Sequence, residues 1–152
     1  MNARHLLVGA ALLGALAGGT SAAAQSQQTV LGPGMYVFQT RTRSASCADD
    51  EATGYVSTFM APIHGVPGSR SMRMTLTNSE FWPTWTITVD AANRVLGDAT
   101  LAGSSGPSAP RNHFSVSAQG DRFTGTGQRT YRANGRECRV EYDALLRRID
   151  QL

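Results

Sequence analysis

The sequence has few of the residues and motifs that carry enzyme chemistry. It contains three histidines, and the two beyond the N-terminal region, His64 and His113, have no cysteine or carboxylate at metal-ligand spacing. Neither a GxxxxGKS/T nor a GxGxxG pattern occurs, and no nucleophile elbow is present. The acidic run Asp49-Asp50-Glu51 lacks the alternating spacing of a calcium loop. We therefore predict no catalytic residue, no metal and no cofactor, and we place both histidines at the surface.

Lysine is absent, so all 14 basic residues are arginines, a bias that a GC-rich genome explains. Residues 101–152 hold eight arginines against five acidic residues, whereas residues 25–100 hold five against six. Four arginines of the last predicted hairpin form a candidate patch for an anionic partner: Arg129, Arg132, Arg136 and Arg139. Interleaved acids such as Glu137 favour the alternative of cross-strand ion pairs. Aromatic and basic residues do not interleave as in a nucleic-acid groove, so we expect no nucleic-acid partner.

Long apolar runs are absent except at the N-terminus. Arg4 and His5 precede an apolar run from Leu6 to Gly19, and Ala22-Ala23-Ala24 has the small residues of a cleavage site. The run is shorter than the roughly 20 residues of a transmembrane helix. We predict a signal peptide over 1–24, a flexible lead over 25–33 and a single domain over 34–152. We expect a periplasmic or secreted protein of the bacterial envelope, without a transmembrane segment after cleavage.

Cysteine is limited to two residues, Cys47 and Cys138. Two cysteines in an exported protein usually pair, so we predict a disulfide between them. The long loop that this bond closes gives at most about 4.6 kcal/mol of stabilisation in the chain-entropy model.

Helical periodicity is missing from most of the chain, and short alternating segments separated by turn residues replace it. Within Phe81–Leu101, for example, Trp85, Ile87 and Val89 point to one face and threonines to the other. Asn93 and Asn134-Gly135 mark hairpin turns. Alternating glycines in the seventh segment indicate bending or a close approach of the backbone. The predicted strands are 35–42, 55–60 (ended by Pro62), 72–77, 84–89, 95–101, 114–118, 122–132 and 136–142.

After the last strand, Asp143 is suited to cap a helix with the sequence ALLRRI, in which Leu145, Leu146 and Ile149 share a side. The predicted fold is therefore all-β, an antiparallel meander of about eight strands with a short C-terminal helix. A small closed or nearly closed barrel and a two-sheet sandwich are the two architectures that bury one apolar face per strand. The cysteines favour the barrel, because a bond between the end of the first strand and the start of the last would join the two closing strands.

An aromatic cluster supplies the candidate ligand site. Trp85 has the parity of core residues, whereas Trp82 precedes Pro83 at the entrance of the strand. We predict that Trp82 and Phe81, with Tyr36 nearby, line a barrel opening and contact an apolar ligand or a sugar ring. Ordinary packing of these rings is the alternative interpretation. Methionines such as Met72 and Met74 are candidates for an adaptable lining.

Three functional hypotheses follow from this pattern. The first is a non-enzymatic binding protein, a carrier or sensor of an apolar small molecule. The second is a protein-binding module, such as an inhibitor of a secreted or periplasmic hydrolase, that uses the loops Ile63–Ser69 and Ala102–Arg111. The third and least favoured is an enzyme with His64, a tyrosine or an arginine in the cavity. An envelope or secreted protein is thus the alternative partner to a small molecule.

Overall fold

The computed structural model describes residues 30–47 and 52–149, so the predicted signal peptide and the acidic run near residue 50 lie outside the described residues. Eight strands follow one another, each antiparallel to the next, and β1 pairs with β8 to close the barrel. The predicted barrel is therefore confirmed, and the alternative of a two-sheet sandwich is not the fold. The strands are β1 (Gly34–Ala45), β2 (Val56–His64), β3 (Ser71–Thr75), β4 (Thr84–Val89), β5 (Val95–Thr100), β6 (Arg111–Gln119), β7 (Arg122–Ala133) and β8 (Arg136–Arg148).

The up-and-down course of the chain gives the barrel two distinct ends. The connecting residues 46–47, 52–55, 76–83, 101–110 and 134–135 lie at what we call the upper end, and 65–70, 90–94 and 120–121 lie at the lower end. The described residues include no helix that is long and apolar enough to cross a membrane.

Side chains in the lower half fill the barrel. Alternate residues of each strand point inward, as the period of a strand requires, and in β4 the buried positions are Trp85, Ile87 and Val89. Leu31, which falls within the predicted flexible lead, is fully buried and joins this core. Other inward residues at this end are Ile63, Met72, Val95, Val116, Phe123 and Leu146.

Three aromatic rings from different strands meet halfway along the barrel. Phe38 lies 4.9 Å from Phe114 and 5.7 Å from Trp85, and Trp85 lies 5.3 Å from Phe114, measured between ring centroids. Each such pair contributes about 0.5–1.5 kcal/mol beyond the area it buries. We call these three residues the aromatic floor, because the packed core lies below them and a cavity lies above them.

Two glycines make room for large rings at this level. A Cβ on Gly97 would lie 2.2 Å from the Phe114 ring, and a Cβ on Gly127 would lie 2.3 Å from the Tyr142 ring. Both are cross-strand neighbours of the ring they accommodate. The close approach predicted for the glycines of β7 is thus confirmed, and Gly97 serves the same purpose in β5.

The predicted disulfide is confirmed and lies at the closing seam. Cys47, just after β1, and Cys138, near the start of β8, have Cα atoms 5.5 Å apart and are separated by 91 positions in sequence. Ser46 continues the seam, because its N–H donates to the Arg139 carbonyl at 2.9 Å and its Oγ accepts from the Arg139 N–H at 2.8 Å.

The predicted C-terminal helix is wrong. Residues 144–148 extend β8 instead, with Ala144 and Leu146 buried and Arg147 exposed. This segment pairs with β1 on one side and β7 on the other, so both neighbours supply backbone hydrogen bonds that a helix would replace. Tertiary pairing overrides the local helical pattern.

The predicted end of β2 at Pro62 is also wrong, because the strand runs on to His64. The Met60 carbonyl accepts from the Thr77 N–H on the side away from β1. By the alternation of an antiparallel strand, the Pro62 nitrogen points to that same side. Within the described strands β2 pairs with β3 at Ile63 and His64 alone, so Pro62 lies where the ladder to β3 ends, a position that tolerates a missing N–H.

Gly97→Ala is expected to lower the free energy of unfolding by about 1–3 kcal/mol, because the new methyl group displaces the Phe114 ring of the aromatic floor. Gly32→Ala is the matched control, since its Cβ would meet no atom closer than 3.8 Å. We expect the control to change the free energy by less than about 1 kcal/mol. Urea denaturation of both variants measures this, and equal losses would contradict the packing described for the floor.

Candidate functional site

A cavity of about 680 Å³ occupies the upper half of the barrel. Phe38 and Trp85 of the aromatic floor form its base, and the segment from Leu76 to Trp82 forms much of its rim. The volume lies within the range of about 300–1,000 Å³ that is typical of small-molecule sites. The cavity is the strongest candidate for a functional site.

The short third strand explains why the barrel is open here. β3 ends at Thr75, whereas β2 begins at Val56, so the upper part of β2 faces the β3–β4 connection instead of a strand. That connection is held by a hydrogen bond from the Leu76 N–H to the Pro83 carbonyl and by one from the Thr77 N–H to the Met60 carbonyl. Ser57 and Phe59 of β2 therefore face the cavity.

One side of the cavity is apolar and is built from β2, β4 and the connections after β3 and β5. Trp82 folds inward and is 9% exposed, and its carbonyl accepts the indole N–H of Trp85 at 2.9 Å. This hydrogen bond fixes the Trp85 indole relative to the backbone of Trp82. The apolar side consists of Phe59, Leu76, Trp82, Trp85 and Leu101, with Phe81 at the mouth.

The opposite side is polar and is built from the adjacent strands β6, β7, β8 and β1. It consists of Thr40, Asn112, Arg129, Tyr131 and Tyr142. Thr40 and Asn112 are 9% and 6% exposed. Buried polar groups are normally hydrogen-bonded, so the partners of these two side chains indicate which chemical groups of a ligand the cavity can bind.

A buried hydrogen bond joins Tyr142 to Asn112 on this side. The Tyr142 hydroxyl lies 2.6 Å from Asn112 Oδ1 and 3.1 Å from the His113 carbonyl. Because a hydroxyl has one proton to donate, the shorter contact takes it. Burial raises the pKa of Tyr142 above its usual value, and the positive charge of Arg129 opposes this rise in part. The hydroxyl therefore stays protonated and holds the Asn112 amide in one orientation.

The structure separates the three predicted ligand-contacting aromatics. Trp82 and Phe81 line the cavity, Trp82 buried and Phe81 65% exposed. Tyr36 lies in the packed lower half, is 2% exposed, and donates its hydroxyl to the Gly32 carbonyl at 2.9 Å. Since β1 places it below the aromatic floor, Tyr36 cannot touch a molecule in the cavity.

The four arginines of the predicted patch do not share one surface. Arg129 points into the barrel and Arg132 reaches the cavity rim. Arg136 is exposed at the start of β8. Arg139 is on the outer face, 2.9 Å from the Glu141 carboxylate. Because side chains alternate between the two faces of a strand, some of the four arginines face the cavity and others face the outside of the barrel.

Other predicted elements lie away from the cavity. His64 and His113 are exposed, at the lower end and on the outer face of β6. Met72 and Met74 are buried core, and among the described residues no methionine lines the cavity. The described residues also contain no cluster of potential metal ligands. A second, shallow depression at the lower end is lined by Pro33, Met35 and Pro62 among others.

Sequence reasoning missed Thr40, Asn112 and Tyr142 as site residues. The alternation of side chains along the strands indicated two of them, because Thr40 lies on the same face as Phe38 and Asn112 lies on the same face as Phe114. A polar residue at an inward position, on strands whose other inward residues are apolar, marks where the core gives way to a cavity.

Comparisons with family models, with curated proteins and with solved structures gave no match to this chain.

Ionisation of tyrosine is expected to destabilise the fold above pH about 10, because the unfolded chain ionises Tyr142 there while the folded state keeps it protonated. Below that pH, Tyr142 contributes no pH dependence. Above it, the free energy of unfolding falls by up to about 1.4 kcal/mol per pH unit on this account. Urea denaturation between pH 9 and pH 11 measures how the free energy of unfolding depends on pH. This range is centred on the ordinary tyrosine pKa of about 10.

Tyr142→Phe is expected to make the free energy of unfolding depend less on pH in this range. Tyr55→Phe, at a tyrosine that is 54% exposed, is expected to retain the dependence of the parent. A Tyr142→Phe variant with the pH dependence of the parent would show that another group causes the alkaline loss.

Proposed function

We propose that this protein is an exported, non-enzymatic β-barrel that binds an apolar small molecule in the cavity, as a carrier or a sensor. The observation that carries the proposal is the hollow upper half, closed below by the aromatic floor and faced on one side by five large apolar side chains. Barrels of eight strands either fill their interior with side chains or hold one small ligand. In this barrel, side chains fill the lower half of the interior and leave the upper half hollow.

The sequence and the disulfide support export. Residues 1–24 have the pattern of a signal peptide, and a disulfide is compatible with an oxidising compartment. The periplasm or the extracellular space is accordingly the proposed location.

The arrangement of the loops does not favour the protein-binding alternative. The connection after β2 lies at the lower end of the barrel, and the connection after β5 lies at the upper end. A partner such as a hydrolase would have to reach both ends of the barrel to contact both loops. Of the residues named for an enzymatic mechanism, His64 lies at the lower end of the barrel, away from the cavity.

Filling the cavity tests the proposal. The neutral fluorophore 1-aminoanthracene is expected to bind the parent protein, with a rise in its fluorescence and a change in the emission of Trp82 and Trp85, which both line the cavity. Ser57→Phe places a ring inside the cavity and is expected to weaken this binding at least about tenfold.

Thr58→Phe is the matched control, because it makes a similar change at the next position, on the exposed outer face of the same strand. It is expected to bind the fluorophore like the parent. No binding to the parent, or equal losses in the two variants, would overturn the proposal.

A further inference from the structure

The cavity has two unlike sides that face each other. The apolar side comes from β2 to β5, which also add Ser57, Asn78, Ser79 and Glu80 to the lining. The side with the buried polar groups comes from β6, β7, β8 and β1, so the division follows the order of the strands around the barrel. An entirely apolar ligand would leave the buried Asn112 amide N–H groups and the buried Thr40 hydroxyl without hydrogen-bond partners, at a cost for each group. The two-sided wall therefore matches a ligand with an apolar body and one polar group.

Asn112 offers hydrogen-bond donors to that polar group. Its Oδ1 is engaged by the Tyr142 hydroxyl, which leaves the two N–H groups of Nδ2 with no hydrogen bond to the described residues. The side chain is more than nine-tenths buried and lines the cavity. A buried amide donor of this kind is satisfied when an acceptor enters the cavity.

Thr40 supplies a second group on the same side. It is 9% exposed, lines the cavity from β1, and its hydroxyl has no hydrogen bond to the described residues. Thr40 and Asn112 both lie above the aromatic floor, two residues from Phe38 and Phe114 respectively on their own strands.

Arg129 gives the polar side its charge. It is directly opposite Asn112 in the pairing of β6 with β7, and its guanidinium is close enough to act electrostatically on Tyr142. Arg132 adds a second guanidinium at the rim, against a single described carboxylate in the lining, the exposed Glu80. Donors next to a guanidinium favour an acceptor that carries negative charge.

We infer that the cavity binds an apolar acid. Its anionic group contacts Arg129, Asn112 and Thr40, and its apolar body contacts Trp82, Trp85 and the rest of the apolar side. This inference rests on the proposed function, because it assigns the chemical class of the ligand of that same cavity.

Three ligands of equal chain length test the charge preference: decanoic acid, decanol and decylamine. Each is titrated at neutral pH against protein loaded with 1-aminoanthracene, and displacement is measured by fluorescence. Decanoate is expected to bind at least about tenfold more tightly than decanol, because a hydrogen bond to a charged acceptor is stronger than one to a hydroxyl. Decylamine is expected to bind most weakly.

Two variants test whether the polar side causes the preference for decanoate over decanol. Arg129→Gln is expected to reduce the affinity for decanoate at least about tenfold and to leave that for decanol nearly unchanged. Thr40→Val removes the hydroxyl at constant shape and is expected to narrow the gap between decanoate and decanol, which keeps the test valid if Arg129→Gln fails to fold. Arg139→Gln, on the outer face, is the control and is expected to retain the full preference.

The outcomes separate the two claims. If the fluorophore and all three ligands fail to bind, the proposed function is wrong and the inference falls with it. If decanol or decylamine binds as tightly as decanoate, or if Arg129→Gln and Thr40→Val both keep the preference, the cavity binds apolar ligands without selecting an acid. The inference is then overturned and the proposed function stands.

Discussion

Contact among Phe38, Trp85 and Phe114 determines how this barrel is divided. The three rings come from β1, β4 and β6, which are not neighbours in the sheet, so they meet across the interior. Gly97 allows this by leaving space for the Phe114 ring. Below the rings the interior is packed with apolar side chains, and above them it is not filled. The site therefore depends on the packing of the rings that form its base.

The chemical character of each side of the cavity depends on which strands point their side chains into it. β6, β7, β8 and β1 are consecutive around the closed barrel and bring hydroxyl, amide and guanidinium groups together. The apolar side owes its form to the short β3, because the chain after Thr75 leaves the sheet and folds Trp82 back over Trp85. The Cys47–Cys138 disulfide ties the closing strands together at this same end. Tyr142 links the two halves, since its ring fills the space at Gly127 and its hydroxyl holds Asn112.

Much of the fold could be predicted because local pattern and tertiary structure agree. The alternation of Trp85, Ile87 and Val89 predicted their burial, and Asn93 and Asn134 do have positive φ in their turns. The prediction failed in residues 144–149, where an apolar spacing typical of a helix is also compatible with a strand that has partners on both sides. The site was harder to predict, because Tyr142 and Asn112 are 30 positions apart and become neighbours through the pairing of β6, β7 and β8. The position of Trp82 likewise depends on where β3 ends, which no local pattern indicates.

The division of the barrel by the aromatic floor is the central claim, and ligand mapping by nuclear magnetic resonance tests it most directly. Labelled protein is titrated with decanoate to saturation, and the shifts of backbone and indole N–H signals are recorded. We predict shifts at Thr40, Asn112, Arg129 and the Trp82 indole, all above the floor, with Val95 and Val116 below it unchanged. Shifts centred on the lower half or on the outer faces of the strands, or no shifts at saturating ligand, would contradict the account.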